Sequence, residues 1–327
     1  MLDGVNTSFD GVTTYALGSD GTLVYSRRLE RAAPMVRLDR SGNAVGTLGD
    51  AFDGVTHGPP RFSPDGAFVA VCRHPVGGSD QVVIHDLRRG ATTTLGGGGD
   101  SRFPVWTPDG TRLAFASTRN GTFDIFEVAG NLGGAPRPLL TREGDQVAWS
   151  WTPDGKVLAF MERAAGAGTL DIWVLPRDGE PSPLLANRAF SEVSLAFSLD
   201  GRFLAYASDE SGRFEVYVQA YPTTDGRITV STGGGRSPAW ARDGLYYTDL
   251  DGRTIFFMSF SGAAGLPEDA TPQPIMRLPG GRDGEDRWGV SPDGQAFVVL
   301  QDYRSPPGSL ELVLNWFEEL TRLVPTR

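Results

Sequence analysis

Cysteine occurs once, at Cys72, in a chain of 327 residues. That excludes an intrachain disulfide, a thiolate zinc cluster and a paired redox motif. No apolar run approaches the roughly 20 residues that a membrane-crossing helix needs. Lysine is as scarce as cysteine: Lys156 stands alone among 30 basic residues, the rest being arginine. Three histidines, His57, His74 and His85, leave few candidates for an imidazole base or ligand. An excess of positive charge is also missing, since 40 acidic residues against 30 basic ones give a net charge of −10. This argues against a nucleic-acid partner and against adsorption to an anionic membrane. The opening Met1-Leu2-Asp3-Gly4 has neither the basic nor the apolar stretch of a secretory leader. The chain as it stands is expected to be soluble.

What the chain has in quantity is turn chemistry: Gly 43 and Pro 23, about one residue in five. Asp-Gly recurs at Asp20, Asp65, Asp109, Asp154, Asp200, Asp243 and Asp293, at spacings of 43 to 50 residues. Pro64, Pro108, Pro153 and Pro292 stand directly before four of these aspartates. Pro presets φ, Asp bonds its own backbone and Gly takes φ > 0, so the tripeptide is a turn former. A β-prone stretch follows each turn, as in Leu113-Ala114-Phe115 or Phe203-Leu204-Ala205-Tyr206, and a second strand follows that, as in Asp124-Ile125-Phe126-Glu127-Val128. Strands at Trp106 and Trp149 precede the turns.

Four strands per unit of about 45 residues describe a propeller blade. The expected fold is all-β: one domain over residues 1–327, a seven-bladed propeller of four-stranded antiparallel blades, with six blades as the alternative count. Strand mixing between the two termini is expected to close it, residues 1–9 completing the blade that holds 310–314, ahead of a short helix at 315–320. Trp106, Trp149, Trp151, Trp173 and Trp240 are expected to pack between blades rather than to form a stacking platform.

The Ser/Thr-Pro-Asp-Gly turn with its following strand resembles the TolB-type β-propeller repeat, also seen in propellers of prolyl-oligopeptidase-like enzymes. A narrower set is similar to the C-terminal propeller of acidobacterial receptor-like serine/threonine kinases: Leu2-Asp3-Gly4-Val5, Gly21-Thr22-Leu23-Val24-Tyr25, Ser208-Asp209-Glu210-Ser211-Gly212 and Asn315-Trp316-Phe317. No Gly-rich nucleotide loop, His-Arg-Asp or Asp-Phe-Gly accompanies it, and no Gly-x-Ser-x-Gly elbow of a serine hydrolase. The resemblance implies a sensor half on its own, or a piece of a longer kinase-linked protein, with an extracytoplasmic or periplasmic location.

Propeller ligands usually sit in the channel or at the face opposite the Pro-Asp-Gly turns. Aligning the repeats places His57, Asp100, Arg102, Asp145, Gln146, Glu192, Arg236 and Asp286 at the starts of the inner strands. The loops of the same face bring His74, Glu162, Asp209, Asp249 and Asp302. Two functions follow. One is a binding (sensor) module whose rim of Asp100, Arg102, Asp145, Gln146, Glu192, Arg236 and Asp286 takes a small molecule or a protein or peptide. The other is a lactone, ester or phosphotriester hydrolase dependent on a divalent cation (Ca²⁺, Mg²⁺ or Mn²⁺), with His57 and His74 as catalytic groups. Its metal would be held by Glu162, Glu192, Asp209, Asp249 and Asp302, oxygen ligands that suit hard cations.

Overall fold

The structure is a computed structural model that describes residues 15–17, 22–26, 33–52, 58–75, 78–95, 97–163, 169–187, 189–223, 226–260, 271–279, 287–300, 310–313 and 316. Six four-stranded antiparallel sheets follow the sequence repeat. Blade I contains β5 (Arg61–Phe62), β6 (Phe68–Arg73), β7 (Gln81–Asp86) and β8 (Thr92–Thr94); blade II contains β9 (Ser101–Trp106), β10 (Arg112–Ser117), β11 (Asp124–Ala129) and β12 (Arg137–Leu140). Blade III has β13 (Asp145–Trp151), β14 (Val157–Arg163), β15 (Asp171–Pro176) and β16 (Ser182–Leu185); blade IV has β17 (Glu192–Phe197), β18 (Phe203–Ser208), β19 (Glu215–Ala220) and β20 (Arg227–Thr229). Blade V comprises β21 (Arg236–Ala241), β22 (Gly244–Thr248), β23 (Thr254–Ser259) and β24 (Gln273–Arg277). Blade VI joins β25 (Trp288–Val290) and β26 (Ala296–Leu300) to β3 (Ala33–Asp39) and β4 (Ala44–Phe52). The inner strands β5, β9, β13, β17, β21 and β25 each contact the next, and β25 returns to β5, so the ring is closed.

Blade seams hold the core. The second strand of each blade is buried on both faces, so its residues serve two seams alternately. Leu113 and Phe115 of β10 pack toward blade I, while Ala114 between them packs toward blade III. Leu204 and Tyr206 of β18 face blade III, and Phe203 and Ala205 face blade V. Six clusters of buried residues result, one for each seam of the ring. This two-sided burial explains why the second strands read as nearly continuous apolar runs.

The predicted count of seven blades is corrected to six, the alternative. The extra unit is the one opening at Asp20-Gly21. Its strand β2 (Leu23–Ser26) pairs with β1 (Tyr15–Leu17) and β27 (Leu310–Val313) in a three-stranded sheet. That sheet belongs to a separate compact unit, the propeller occupying Ala33–Asp302. An Asp-Gly turn before an apolar strand specifies a hairpin and does not choose the sheet the hairpin joins. Strand mixing does complete the last blade, through β3 and β4: Val298 and Val299 of β26 pair with Arg37 and Val36. Leu310–Val313 lies outside the blades, and residues 1–9 lie outside those described, as does the helix expected at 315–320 apart from Trp316. Among the described residues no helix is long and apolar enough to cross a membrane.

Candidate functional site

One end of the channel is built by the turns. In five blades the hydroxyl of Ser63, Thr107, Thr152, Ser198 or Ser291 donates to the turn aspartate, Asp65, Asp109, Asp154, Asp200 or Asp293, at 2.5–2.7 Å. Each aspartate also accepts the N–H two residues on, at 3.0–3.1 Å. The hydroxyl bonds hold the carboxyls of Asp65, Asp109, Asp154 and Asp293 below their ordinary range. The turn glycines sit at φ of 68–72°, where a Cβ is strained. A Cβ on Gly110 would also lie 3.6 Å from Pro64, and one on Gly201 3.2 Å from Pro153, so the turns of blades I to IV each cover the proline of the blade before. These aspartates are turn formers, as expected.

Blade V breaks the pattern. β21 and β22 pair Ala241 with Gly244 across a two-residue turn, Arg242-Asp243. Asp243 accepts instead from Tyr246 Oη, at 2.8 Å, and from Arg40. Arg40, between β3 and β4, donates further to Tyr246 Oη at 2.7 Å and to the Gly294 carbonyl at 3.0 Å.

At this end the channel opens into a cavity of about 420 Å³ walled by all six inner strands. Aromatic residues Phe62, Trp106, Trp149, Trp151, Trp240 and Trp288 form much of the wall, with small residues Ser150, Ala196, Ala239 and Gly289 between them. Pro64, Pro108, Pro153, Leu199, Arg242 and Pro292 supply the turn residues around it. The inner strands carry bulges at this level: the register slips opposite Ala114 and Ala116 in blade II, and within β13, β17 and β21 in the next three. Phe103, Ser194 and Ser237 adopt φ of 53–56° there. A bulge inserts a residue and re-aims its side chain, and Ser194 and Ser237 both line the cavity. The tryptophans do pack in blade seams as expected, but Trp106, Trp149, Trp151 and Trp240 also face this cavity.

The opposite end carries the residues chosen from sequence, and none of those described lines the cavity. His57, Asp286 and Asp302 lie outside the described residues. His74, Asp100 and Arg102 come together around Asp80, which is 1% exposed. His74 Nδ1 lies 2.7 Å from Asp80 Oδ1, Arg102 Nε donates to Asp80, and the Asp80 N–H donates to Asp100 at 2.9 Å. Several other acids hold loops: Asp145 accepts from the Phe123 N–H, Asp209 from Ser191, and Asp249 from Arg253 and Thr254. Arg236 lies over the Phe214 ring, 3.9 Å from its centroid.

Blades III and IV contribute the other group. Glu162 meets Arg142 at 3.1 Å, and burial raises its carboxyl. Gln146 is fully buried; its amide donates to the Glu143 carbonyl at 3.1 Å, and its Oε1 has no hydrogen-bond partner. Glu192 is 4% exposed, and its Oε2 is likewise unpartnered. Burial, then Asp171, Glu210 and Asp209, push its carboxyl up to about 7. Among the described residues no group of three or more His, Cys, Asp or Glu is arranged to hold a metal ion.

Asp80 and Asp171 escaped the sequence reading, although a signal for them exists. Asp80, Asp124, Asp171 and Glu215 recur 44 to 47 residues apart, at or just before the third strand of a blade. The cavity also had a signal: two residues before Pro64, Pro108, Pro153 and Leu199, four of the five full turns, stand Phe62, Trp106, Trp151 and Phe197, with Val105, Ser150 or Ala196 one residue earlier in three of them.

The TolB β-propeller domain family matches residues 17–182. No curated protein matches the chain. Among solved structures, a protein of Agrobacterium tumefaciens assigned as TolB is 18% identical, with 83% of this chain and 98% of that one covered at a TM-score of 0.65. Hydrazine synthase of Kuenenia stuttgartiensis is 17% identical over 92% of this chain and 94% of its own, at 0.57. An oligogalacturonate lyase in complex with manganese is 12% identical over 92% and 81%, at 0.52. Likeness at these identities is likeness of fold. With a blade repeat that folds into a closed ring and a match over half its length, the chain belongs to the TolB β-propeller domain family.

Proposed function

We propose that this protein is a binding module whose ligand, a small molecule or a segment of a protein partner, enters the cavity at the turn end of the channel. The observation that carries this reading is the cavity itself, about 420 Å³ with aromatic and proline walls drawn from all six blades. Concave, mostly apolar sites with a few placed polar groups are where ligands bind, and here the serines and arginines supply the polar groups. The kinase-linked propellers that the chain resembles support a sensor role outside the cytoplasm.

Tryptophans line the wall, so binding is readable as a change in intrinsic fluorescence. A panel of peptides and small aromatic compounds should produce saturable changes. Ala239→Phe fills the cavity from a half-buried position and should abolish them with little change in melting temperature. Saturable binding that persists in a folded Ala239→Phe variant defeats this placement.

A further inference from the structure

Charge in the cavity has one sign. Arg61 and Arg242 line it, and among the described lining residues there is no Asp or Glu, in a chain where acids outnumber bases 40 to 30. Arg61 stands on the inner strand of blade I, yet its guanidinium lies over the Trp149 ring of blade III, 5.3 Å from the centroid. The side chain thus reaches toward the wall two blades along. Arg242 occupies the shortened turn of blade V, where four other turns carry Pro and one carries Leu. Asp293, which feels the charge of Arg242, already accepts from the Ser291 hydroxyl and the Gln295 N–H. Apolar walls lower the local dielectric, so the half-buried Arg61 guanidinium attracts an anion more strongly than it would in water.

We propose that the ligand of this cavity carries a carboxylate on a flat apolar body, the carboxylate meeting Arg61, the body lying against Trp149 and the turn prolines, and Arg242 adding positive charge at the rim. The inference rests on the cavity being the binding site. The planar fork of arginine suits a carboxylate, and the same group stacked on an indole offers a flat surface to an aromatic or proline ring. Two sources share this chemistry: a free aromatic acid and an acidic residue next to an aromatic one in a peptide.

The test uses the whole chain and four probes: indole-3-acetate, its neutral analogue indole-3-acetamide, and the acetylated, amidated dipeptides Asp-Trp and Asn-Trp. Titrations followed by calorimetry should show an acid binding about tenfold or more tighter than its amide, the worth of one charge-assisted contact. Arg61→Gln should remove that preference. Arg242→Gln, in an exposed turn and so less exposed to folding failure, should reduce it. Preference in the free pair alone identifies a small acid; preference in the peptide pair alone identifies a peptide. Equal affinity of acid and amide, with binding still blocked by Ala239→Phe, overturns the carboxylate while leaving the cavity reading in place. Binding that Ala239→Phe does not block overturns both, and no binding by either acid overturns the carboxylate proposal.

Discussion

The two ends of the channel handle acidic residues in opposite ways. At the turn end, five aspartates make the same bonds, to a hydroxyl two residues back and an N–H two residues on. At the far end, four acids at corresponding places find four different solutions. Asp80 takes His74 and Arg102. Asp124 takes the Arg142 N–H, and Glu215 takes Arg213, the Ser231 hydroxyl and the Gly234 N–H. Asp171 keeps a buried Oδ1 with no hydrogen-bond partner, beside Glu162 and Glu192. A local turn can be solved within a few residues, so the repeat preserves one solution. A buried acid needs donors from other loops, so its solution depends on loop sequences that differ from blade to blade.

The largest effect that breaks this comparison is predicted at Asp80. Asp80→Ala would take its buried carboxylate partner from Arg102, whose side chain is 16% exposed, while Asp100 stays at 3.8 Å. Removing one partner of a buried pair costs about 3–5 kcal/mol. Asp109→Ala at the turn end should cost only about 1–2 kcal/mol, since Thr111 is exposed to water and the buried Thr107 hydroxyl still has the Arg112 carbonyl at 3.1 Å to donate to. Urea unfolding of both variants measures the ratio. Equal losses would mean that the two ends do not differ energetically.

Much of the ring was readable because it is local. Pro-Asp-Gly, the aromatic before it and the apolar strand after it all act within about ten residues, and they gave the blades, the turns and the role of the aspartates. The strand Val82-Val83-Ile84-His85-Asp86 also marks His85 as structural, and the structure agrees. His85 is 4% exposed, lies 3.1 Å from the Thr92 hydroxyl, and burial pushes it down to about 4. Closure was less legible, because β2 and β3 both have the pattern of a blade strand and only tertiary pairing decides that β3 joins β26. The cavity was missed for a geometric reason. Its walls are residues that also pack the seams, such as Trp149 and Trp151, and periodicity identifies a buried tryptophan without saying that one edge borders empty space. The rim drew attention through its carboxylates, and four of the six described, Asp100, Asp145, Asp209 and Asp249, turn out to hold loops.

The acids of blades III and IV give a smaller effect that depends on pH. Burial and neighbouring acids raise Glu192 from 4.5 to about 7 in the folded chain, so the folded state holds this proton more tightly than the unfolded state does. Stability contributed by this group therefore falls as pH rises from about 4.5 to about 7 and levels off above. Glu192→Gln removes the charge. It should leave the melting temperature near pH 4.5 almost unchanged and raise it at pH 8 by roughly 2–4 °C. A gain of the same size at both pH values would assign the benefit to something other than the titration of this carboxyl.

The smallest effect sharpens the regularity of the turn end. Leu199 stands where Pro64, Pro108, Pro153 and Pro292 stand in the other full turns. Its blade has the same bonds as theirs: the Ser198 hydroxyl donates to Asp200 at 2.6 Å, the Gly201 N–H donates to the Ser198 carbonyl at 2.9 Å, and Gly201 has φ of 72°. Each of those prolines is covered by the turn of the next blade, but the next turn after Leu199 is the two-residue one of blade V. That shortening accounts for the 50% exposure of Leu199, one of the large exposed apolar side chains. If the backbone there already has the φ that proline imposes, Leu199→Pro removes freedom only from the unfolded chain and should stabilise by about 0.4–1 kcal/mol. Denaturant midpoints with an unchanged slope would measure it. A loss of stability would show that the fifth turn departs from the other four despite sharing their hydrogen bonds, and the sameness of the turn end would then rest on four blades rather than five.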